Sequence, residues 1–292
     1  MGKKTIIYIS GQGFIGSTLL DILLGAKKDA FSAGELIFFP QKGIKNQEYC
    51  SCGKKVPECE VWSNIYKEWE KKRNLKLDEY IEIQRYLTSL KKIISSIVKL
   101  VIPRKKINYF IDDTYELYNA IFSVTNSNII IDSSKSPLNI LILKKNNFDL
   151  HVVHLVRRFG DILNSNKKRA EKNLKKGIEH EIVPNSTSYV FLNWVIKNLI
   201  TIGFSRGVRY KRIKYEDIVA TPEEQISYIL NNKFDYKKIL NRRGPFYPKH
   251  LVAGNKIRME DEIFISEKPM HTEYHRLNGK EKLFARLIDQ FY

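Results

Sequence analysis

The sequence lacks several features that would assign it to familiar protein classes. No apolar run reaches the roughly 18 to 20 residues that a membrane-spanning helix needs. The apolar run behind Lys3 and Lys4 is interrupted by Gly11 and Gln12, so it has the length of a strand and is not a secretory signal. There is no internal repeat and no low-complexity linker. These absences predict a soluble, cytoplasmic chain without a transmembrane span.

Cysteine is scarce, and its three copies, Cys50, Cys52 and Cys59, lie close together ahead of Trp62. A four-ligand zinc site needs another cysteine or histidine nearby, and none occurs within the segment. A reducing cytosol disfavours a disulfide without excluding it. The sequence therefore favours packed thiols over a local disulfide, with a metal last, and no metal is predicted.

Acidic residues are few relative to basic ones, 32 against 50, which gives a net charge of +18. That balance suits an anionic nucleotide, an anionic glycan, a nucleic acid or an acidic membrane surface. No RNA- or DNA-binding motif accompanies the charge, so no nucleic-acid partner is predicted. The 292 residues are 43% hydrophobic, enough for one large core, and strand patterns alternate with helix patterns throughout. One α/β domain spanning 1–292, with a parallel sheet flanked by helices, is the simplest organisation.

The most informative segment lies near the N-terminus. A β-branched run, Ile6 to Ile9, predicts a buried strand, the segment 11–18 is rich in glycine, and a helix-period apolar stretch follows over 19–24. Strand, glycine turn and helix together direct backbone N–H groups and the positive end of a helix at a phosphate or sulfate. The segment therefore predicts an anion-binding loop.

Several ligands are compatible with this loop. As a nucleotide P-loop it has Ser17 where a lysine contacts the β and γ phosphates, which argues against ATP or GTP chemistry. As a dinucleotide fingerprint it has the glycine spacing and Glu35 about 20 residues on, but Glu35 precedes the apolar run 36–39 instead of ending a strand. A third interpretation is a phosphosulfate loop, in which backbone amides and the Ser17 and Thr18 hydroxyls hold a 5′-phosphosulfate without metal. A glycine turn without a ligand is the fourth. The glycines concerned are Gly11, Gly13 and Gly16.

Polar groups also follow two later strands. Asp132 to Lys135 come directly after the apolar run 129–131, and Arg157 follows the run 151–156. In doubly wound sheets, ligands bind at these carboxyl ends. Ser165 lies eight residues past Arg157 on a predicted helix. An arginine at a strand end with a helix hydroxyl behind it predicts a second anion site.

Residues 87–102 form a basic amphipathic segment. Its pattern favours a helix that packs on the core, although it leaves a peripheral membrane contact open. The apolar positions are Leu87, Leu90, Ile94, Ile97, Val98 and Val101. The larger region 38–125 is predicted to be a helical, cysteine-containing insertion on the acceptor side.

Taken together, these motifs resemble the sulfotransferases that use 3′-phosphoadenosine 5′-phosphosulfate (PAPS), in their bacterial and carbohydrate-type branch. The resemblance covers most of the chain and keeps the order of the motifs. The loop 11–18 is similar to the family's 5′-phosphosulfate loop, and Arg157 with Ser165 is similar to its 3′-phosphate signature. Further similar segments are Gly34-Glu35-Leu36, Cys50-Ser51-Cys52-Gly53 with Cys59 and Trp62, Asp132-Ser133-Ser134-Lys135, Tyr215-Glu216-Asp217, and Gly254-Asn255 with Arg258.

The resemblance implies a three-layer, P-loop-like sulfotransferase fold and an in-line transfer from PAPS to a hydroxyl of a glycan or glycolipid, without metal. It implies that Glu35 is the base, and that Lys135 and Ser134 stabilise the transferring sulfonate or the bridging oxygen. The residues implied to bind the cofactor are Gly13, Phe14, Ile15, Gly16, Ser17 and Thr18 at the 5′ end, with Arg157, Ser165, Arg169, Tyr215, Gly254, Asn255 and Arg258 elsewhere.

One position departs from the family's pattern. Phe14 stands where the family usually has an arginine or lysine that neutralises the phosphosulfate. Lys135 is the obvious substitute, and otherwise activity is low or lost. Two other functions therefore stay open: a P-loop-type small-molecule or nucleotide kinase, and a catalytically inactive module that binds an anion or glycan. The sequence does not assign the acceptor or the oligomeric state.

Overall fold

The computed structural model contains one five-stranded sheet in which all neighbouring strands are parallel. The strands, in chain order, are β1 (Thr5–Ser10), β2 (Ala30–Gly34), β3 (Ile129–Lys135), β4 (Asp149–Val156) and β5 (Arg209–Lys214). Their order across the sheet is β2-β3-β1-β4-β5. The structure describes residues 4–102, 104–146, 148–174, 185–231, 235–266, 274–290 and 292, without the side chains of 169–174.

Helices cover both faces of this sheet. They are α1 (Ser17–Gly25), α2 (Glu60–Lys72), α3 (Leu77–Leu87), α4 (Ile93–Val101), α5 (Lys105–Thr125), α6 (Pro137–Leu143), α7 (Phe159–Leu174), α8 (Thr187–Phe204), α9 (Tyr215–Ala220), α10 (Pro222–Leu230), α11 (Lys237–Asn241) and α12 (Gly279–Asp289). Shorter helical turns span Leu36–Phe38, Phe39–Lys45, Val56–Glu58, Leu90–Lys92 and Lys256–Met259.

The alternation of side chains along β1 explains why the sheet is covered on both sides. Ile6 and Tyr8 are buried in one hydrophobic cluster, whereas Ile7 and Ile9 are buried in the other. Successive side chains of a strand point to opposite faces, so a continuous apolar run needs a layer of helices on each side. The predicted three-layer α/β architecture is confirmed.

The parallel sheet places five strand ends at one edge. The glycine loop follows β1, and the residues directly after β2, β4 and β5 are Glu35, Arg157 and Tyr215. Lys135 is the last residue of β3. Because the carboxyl ends of parallel strands share an edge, motifs that lie far apart in the sequence meet there.

The position of Glu35 corrects one sequence-based argument. Glu35 directly follows β2, so the prediction that it does not end a strand is wrong. The apolar run after it forms the turn Leu36–Phe38 and a π-helix over Phe39–Lys45. A dinucleotide fold nevertheless places its second strand beside the first, whereas here β3 lies between β1 and β2. The strand order therefore disfavours a dinucleotide site for a different reason.

The amphipathic segment 87–102 also differs from its prediction. It is divided between the end of α3, the turn Leu90–Lys92 and α4, and three of the six apolar residues predicted to pack on the core are exposed, namely Ile94, Val98 and Val101. Ile94 is 77% exposed and Val101 is 70% exposed, whereas Leu100 is 4% exposed. The buried positions lie on a different side of α4 from the predicted one.

This exposure leads to a stability prediction. We expect Leu100→Ala to lower the free energy of unfolding by about 2 to 5 kcal/mol, because it leaves a cavity in the core. The matched substitution Ile94→Ala should change it by less than about 0.5 kcal/mol, because that side chain lies at the surface. Urea unfolding of both variants measures the difference. A larger loss for Ile94→Ala would instead support the predicted core-facing side.

Within the described residues, no helix combines the length and the apolar character that crossing a membrane requires.

Candidate active site

The glycine loop has a backbone that side chains would disrupt. Gly11 and Gly16 have φ angles of 147° and 87°. A Cβ atom at Gly11 would lie 2.4 Å from the Leu155 carbonyl oxygen, and one at Gly16 would lie 2.3 Å from Cδ2 of Tyr215. A Cβ at Gly13 would meet nothing within 4 Å, so this part of the loop faces open space. Packing thus requires two of the glycines, while the third borders the space in which a ligand can bind.

The helix that follows this loop has an open N-terminus. α1 begins at Ser17, no side chain among the described residues caps it, and its first turn has no acidic residue. The first N–H groups of a helix need acceptors, and the positive end of the helix dipole favours an anion. By contrast, the Asp289 carboxylate accepts hydrogen bonds from the first amides of α7, those of Phe159 (2.7 Å) and Gly160 (3.3 Å). Of these two helix starts at the strand ends, the one after β1 is available for an anion.

The segment 254–255 closes over the start of α1. The Asn255 amide donates a hydrogen bond to Oγ1 of Thr18 at 3.3 Å. A Cβ atom at Gly254 would lie 3.3 Å from the same hydroxyl oxygen and 3.5 Å from Oε1 of Glu35. Ser17 and Thr18 are both 5% exposed. The structure therefore brings together four residues that were predicted for the site in three separate segments: Thr18, Glu35, Gly254 and Asn255.

Glu35 and Lys135 form an ion pair between the ends of β2 and β3. The carboxylate of Glu35 accepts from Nζ of Lys135, and the two side chains are 12% and 17% exposed. The residue implied as base and the residue implied as cation are thus in direct contact. A carboxylate so placed can accept a proton from a hydroxyl, while the adjacent ammonium group can compensate negative charge that develops on a transferred group.

Ser134 is held by a buried hydrogen-bond network. Its hydroxyl donates to the Asp132 carboxylate and accepts from the Ile37 amide at 2.9 Å. The Tyr118 hydroxyl also donates to Asp132, at 2.5 Å. Burial raises the pKa of Asp132 to about 6, although the hydrogen bonds from Ser134 and Tyr118 act in the opposite direction. The network fixes the end of β3, from which Lys135 projects, to the turn that follows Glu35.

Lys197 is a charged neighbour of this pair that the sequence analysis did not identify. It lies half-buried on α8 and interacts electrostatically with Lys135 and Glu35. Burial, followed by the charge of Lys135, lowers the pKa of Lys197 to about 8. It is the one charged residue in the otherwise uncharged sequence of α8, and that isolation was the available signal. Lys197 is therefore a second cation within the electrostatic reach of the Glu35–Lys135 pair.

Arg157 connects the glycine loop to Tyr215, the first residue of α9. Its Nη1 donates to the Phe14 carbonyl at 2.9 Å, and its guanidinium lies 4.5 Å from the centre of the Tyr215 ring. Its Nε is buried and has no hydrogen-bond partner among the described residues. An unpaired buried donor costs about 1 to 3 kcal/mol, a cost that a bound anion removes. Arg157 thus has the geometry of a second anion contact.

Two solved structures are similar to this chain in fold over nearly its whole length. The sulfotransferase domain from the curacin biosynthetic pathway matches with a TM-score of 0.52 at 17% identity, covering 98% of this chain and 98% of that domain. The sulfotransferase domain from the Synechococcus PCC 7002 olefin synthase matches with a TM-score of 0.52 at 17% identity, covering 99% of this chain and 95% of that domain. The chain has the sulfotransferase fold. No protein-family model and no curated protein matches the sequence.

Several residues predicted to bind the cofactor have no side-chain contact with the Glu35–Lys135 pair or with Arg157. Arg258 donates from Nη1 to the Tyr49 carbonyl at 3.0 Å, so it holds the loop that contains the cysteines. The Ile15 side chain is 1% exposed within the core, which leaves only its backbone for a ligand. Ser165 lies half-buried on α7, beyond the residues that Asp289 caps. The side chain of Arg169 lies outside the described residues.

Proposed function

We propose that the chain is a sulfotransferase that uses PAPS and transfers the sulfuryl group to a hydroxyl. The observation that carries this proposal is the Glu35–Lys135 ion pair at the carboxyl edge of the sheet, where Gly254 lies against both Glu35 and Thr18 at the uncapped start of α1. A base and a cation are thus adjacent to a helix N-terminus suited to an anion. The sulfotransferase fold of the chain supports this assignment over other phosphate-binding functions.

Each part of the site has a role in this proposal. The amides of 13–18, with the hydroxyls of Ser17 and Thr18, bind the 5′-phosphosulfate, and Arg157 binds the 3′-phosphate. Glu35 accepts the proton of the attacking acceptor hydroxyl. As that happens, the hydroxyl oxygen forms a bond to sulfur, and the bond between sulfur and the bridging phosphate oxygen breaks. Lys135 and Lys197 compensate the charge on the sulfonate and on the departing phosphate. Positioning and charge stabilisation of this kind dominate in-line transfers.

The two lysines also offer an account of Phe14. Phe14 replaces the usual basic residue of the loop, and its carbonyl is already held by Arg157. We propose that Lys135 and Lys197 supply the missing positive charge from β3 and α8. With these two lysines, the protein would remain active although Phe14 stands in place of the basic loop residue.

This role of Lys197 predicts a pH dependence. Binding of an anion favours protonated Lys197, whose pKa in the free protein is lowered to about 8. We therefore expect the affinity for PAP, the desulfated product, to fall roughly tenfold as the pH rises from about 7 to about 9. Calorimetry at several pH values measures this fall. In Lys197→Met the affinity should already be reduced at pH 7 and this dependence should be absent; an unchanged profile would exclude Lys197 from the site.

The acceptor is proposed to be a glycan or glycolipid hydroxyl. The resemblance to the carbohydrate-type branch and the net charge of +18 support it. The names of the two structural neighbours refer to a biosynthetic pathway and an olefin synthase, so a small-molecule hydroxyl is the second candidate acceptor. The exposed apolar residues of α4 support a peripheral contact with a membrane that carries a glycolipid. A cytoplasmic location is proposed with this activity.

A turnover experiment tests the proposal. The chain is incubated with PAPS and a panel of glycans, glycolipids and small alcohols, and both PAP release and the sulfated product are followed by mass spectrometry. We expect acceptor-dependent PAP release. If the chain binds PAP but releases none with any acceptor, the inactive binding module is supported. If ATP with Mg²⁺ raises the melting temperature of the chain and PAP does not, the kinase is supported.

A further inference from the structure

Four metal-ligating side chains that have no role in the proposed transfer meet in one place. They are Cys50, Cys52, Cys59 and His250, and one ligand atom from each lies within 4.8 Å of all the others. Nδ1 of His250 lies 3.4 Å from Sγ of Cys59 and 3.9 Å from Sγ of Cys50. All three cysteines are free thiols. The histidine lies 191 residues beyond Cys59, which explains why the local sequence lacks a fourth ligand.

These separations fit a single tetrahedral ion. With zinc–sulfur bonds of about 2.3 Å and a zinc–nitrogen bond of about 2.0 Å, the edges of the tetrahedron are about 3.5 Å from sulfur to nitrogen and about 3.8 Å between sulfurs. The two measured sulfur–nitrogen distances lie on either side of the first value. Three thiolates and one imidazole form a ligand set that selects zinc over magnesium or calcium.

We propose that Cys50, Cys52, Cys59 and His250 form a structural zinc site. All four positions are taken by protein ligands, so the site has no open position for a substrate or for water, which is typical of structural zinc. Cys50 and Cys59 are buried, His250 is half-buried and only Cys52 is exposed. Three thiols beside one imidazole, two of them buried, gain a specific partner when the ion binds.

The surroundings of the ligands suit this assignment. Backbone hydrogen bonds hold the cysteine loop in shape: the Cys50 amide donates to the Lys54 carbonyl and the Cys59 amide donates to the Lys55 carbonyl, both at 2.9 Å. The cysteines are thus held in one fixed loop beside His250.

The location of the cluster gives the ion a structural role. His250 lies two residues before Val252, which pairs with both Cys50 and Gly34. The Val252 carbonyl accepts from the Glu35 amide at 2.9 Å, and the His250 carbonyl accepts from Nε1 of Trp62 at 2.6 Å. The ion therefore fastens the cysteine loop to the segment that aligns Glu35. Losing it should destabilise the protein and loosen this alignment.

Metal analysis of the purified full-length chain tests the proposal directly. We expect about one zinc per chain in the wild type, and at least a tenfold loss in both His250→Ala and Cys59→Ser. His151→Ala is the matched control, because His151 is also half-buried but contacts Asp149 outside the cluster. It should retain its zinc. None of these readouts depends on PAPS, so the result is independent of the proposed activity.

Thiol titration of the wild type separates zinc from a disulfide without relying on variants that fold poorly. With zinc bound, we expect all three thiols to react fully only after a chelator is added, and the chelator to lower the melting temperature. Cobalt(II) added to the metal-free chain should give the intense visible bands of a tetrahedral thiolate site. Absence of zinc together with three thiols that react without chelator would overturn the proposal, as would one reactive thiol and a disulfide.

Discussion

Glu35→Gln should lower the rate of sulfuryl transfer by about 10²- to 10⁴-fold, the range expected when a general base is removed. The substitution preserves the shape of the side chain but removes the carboxylate that contacts Lys135. The affinity for PAP should change by only a few fold, since the proton transfer belongs to the chemical step. Initial rates of PAP release in the presence of an accepted hydroxyl measure the loss.

Glu281→Gln is the matched control for this experiment. Glu281 is also a largely buried glutamate paired with a lysine, Lys167, and its side chain is 15% exposed, against 12% for Glu35. It caps α12 and lies outside the proposed site. Its substitution should leave the transfer rate within a few fold of the wild type. Equal rates for the wild type and Glu35→Gln would remove Glu35 from the mechanism.

Arg157→Ala should weaken PAP binding by about 30- to 1000-fold. The substitution removes two charge-assisted hydrogen bonds, which are worth roughly 2 to 4 kcal/mol together. It also removes the bond that holds the Phe14 carbonyl, so part of the loss reflects the loop. The ratio of the two dissociation constants from calorimetry gives the effect.

Two further variants separate charge from geometry at this position. Arg157→Lys should fall between the wild type and the alanine variant, because it keeps the charge but loses the planar fork of donors. Arg209→Ala removes an exposed arginine at the opposite end of β5 and should bind PAP as the wild type does. Similar losses in Arg157→Ala and Arg209→Ala would mean that only overall charge matters.

The fold and the anion loop could be predicted because the relevant signals are local. The run Ile6–Ile9 and the glycines behind it specify strand, turn and helix within about 20 residues. β2 escaped prediction because Ala30–Gly34 contains small and polar residues, and it is a strand only through pairing with β3. The apolar face of segment 87–102 was assigned to the core because core helices and surface-binding helices share the same periodicity.

The missing site residues lie outside the reach of local patterns. Lys197 comes from a helix that the sequence presents as a plain apolar segment, and only the packing of α8 places its charge within electrostatic reach of Glu35 and Lys135. His250 approaches Cys59 across 191 residues of chain. Such contacts depend on strand order and on long connections, which no single segment specifies.

The most direct test of the central claim is a calorimetric titration of the wild-type chain with PAP. The proposed site predicts one binding site of micromolar affinity, formed without added metal. ATP with Mg²⁺ titrated in the same way should bind far more weakly, because Ser17 stands where a nucleotide loop has its lysine. Absence of PAP binding, or tighter binding of ATP with Mg²⁺, would contradict the assignment of this edge of the sheet to PAPS.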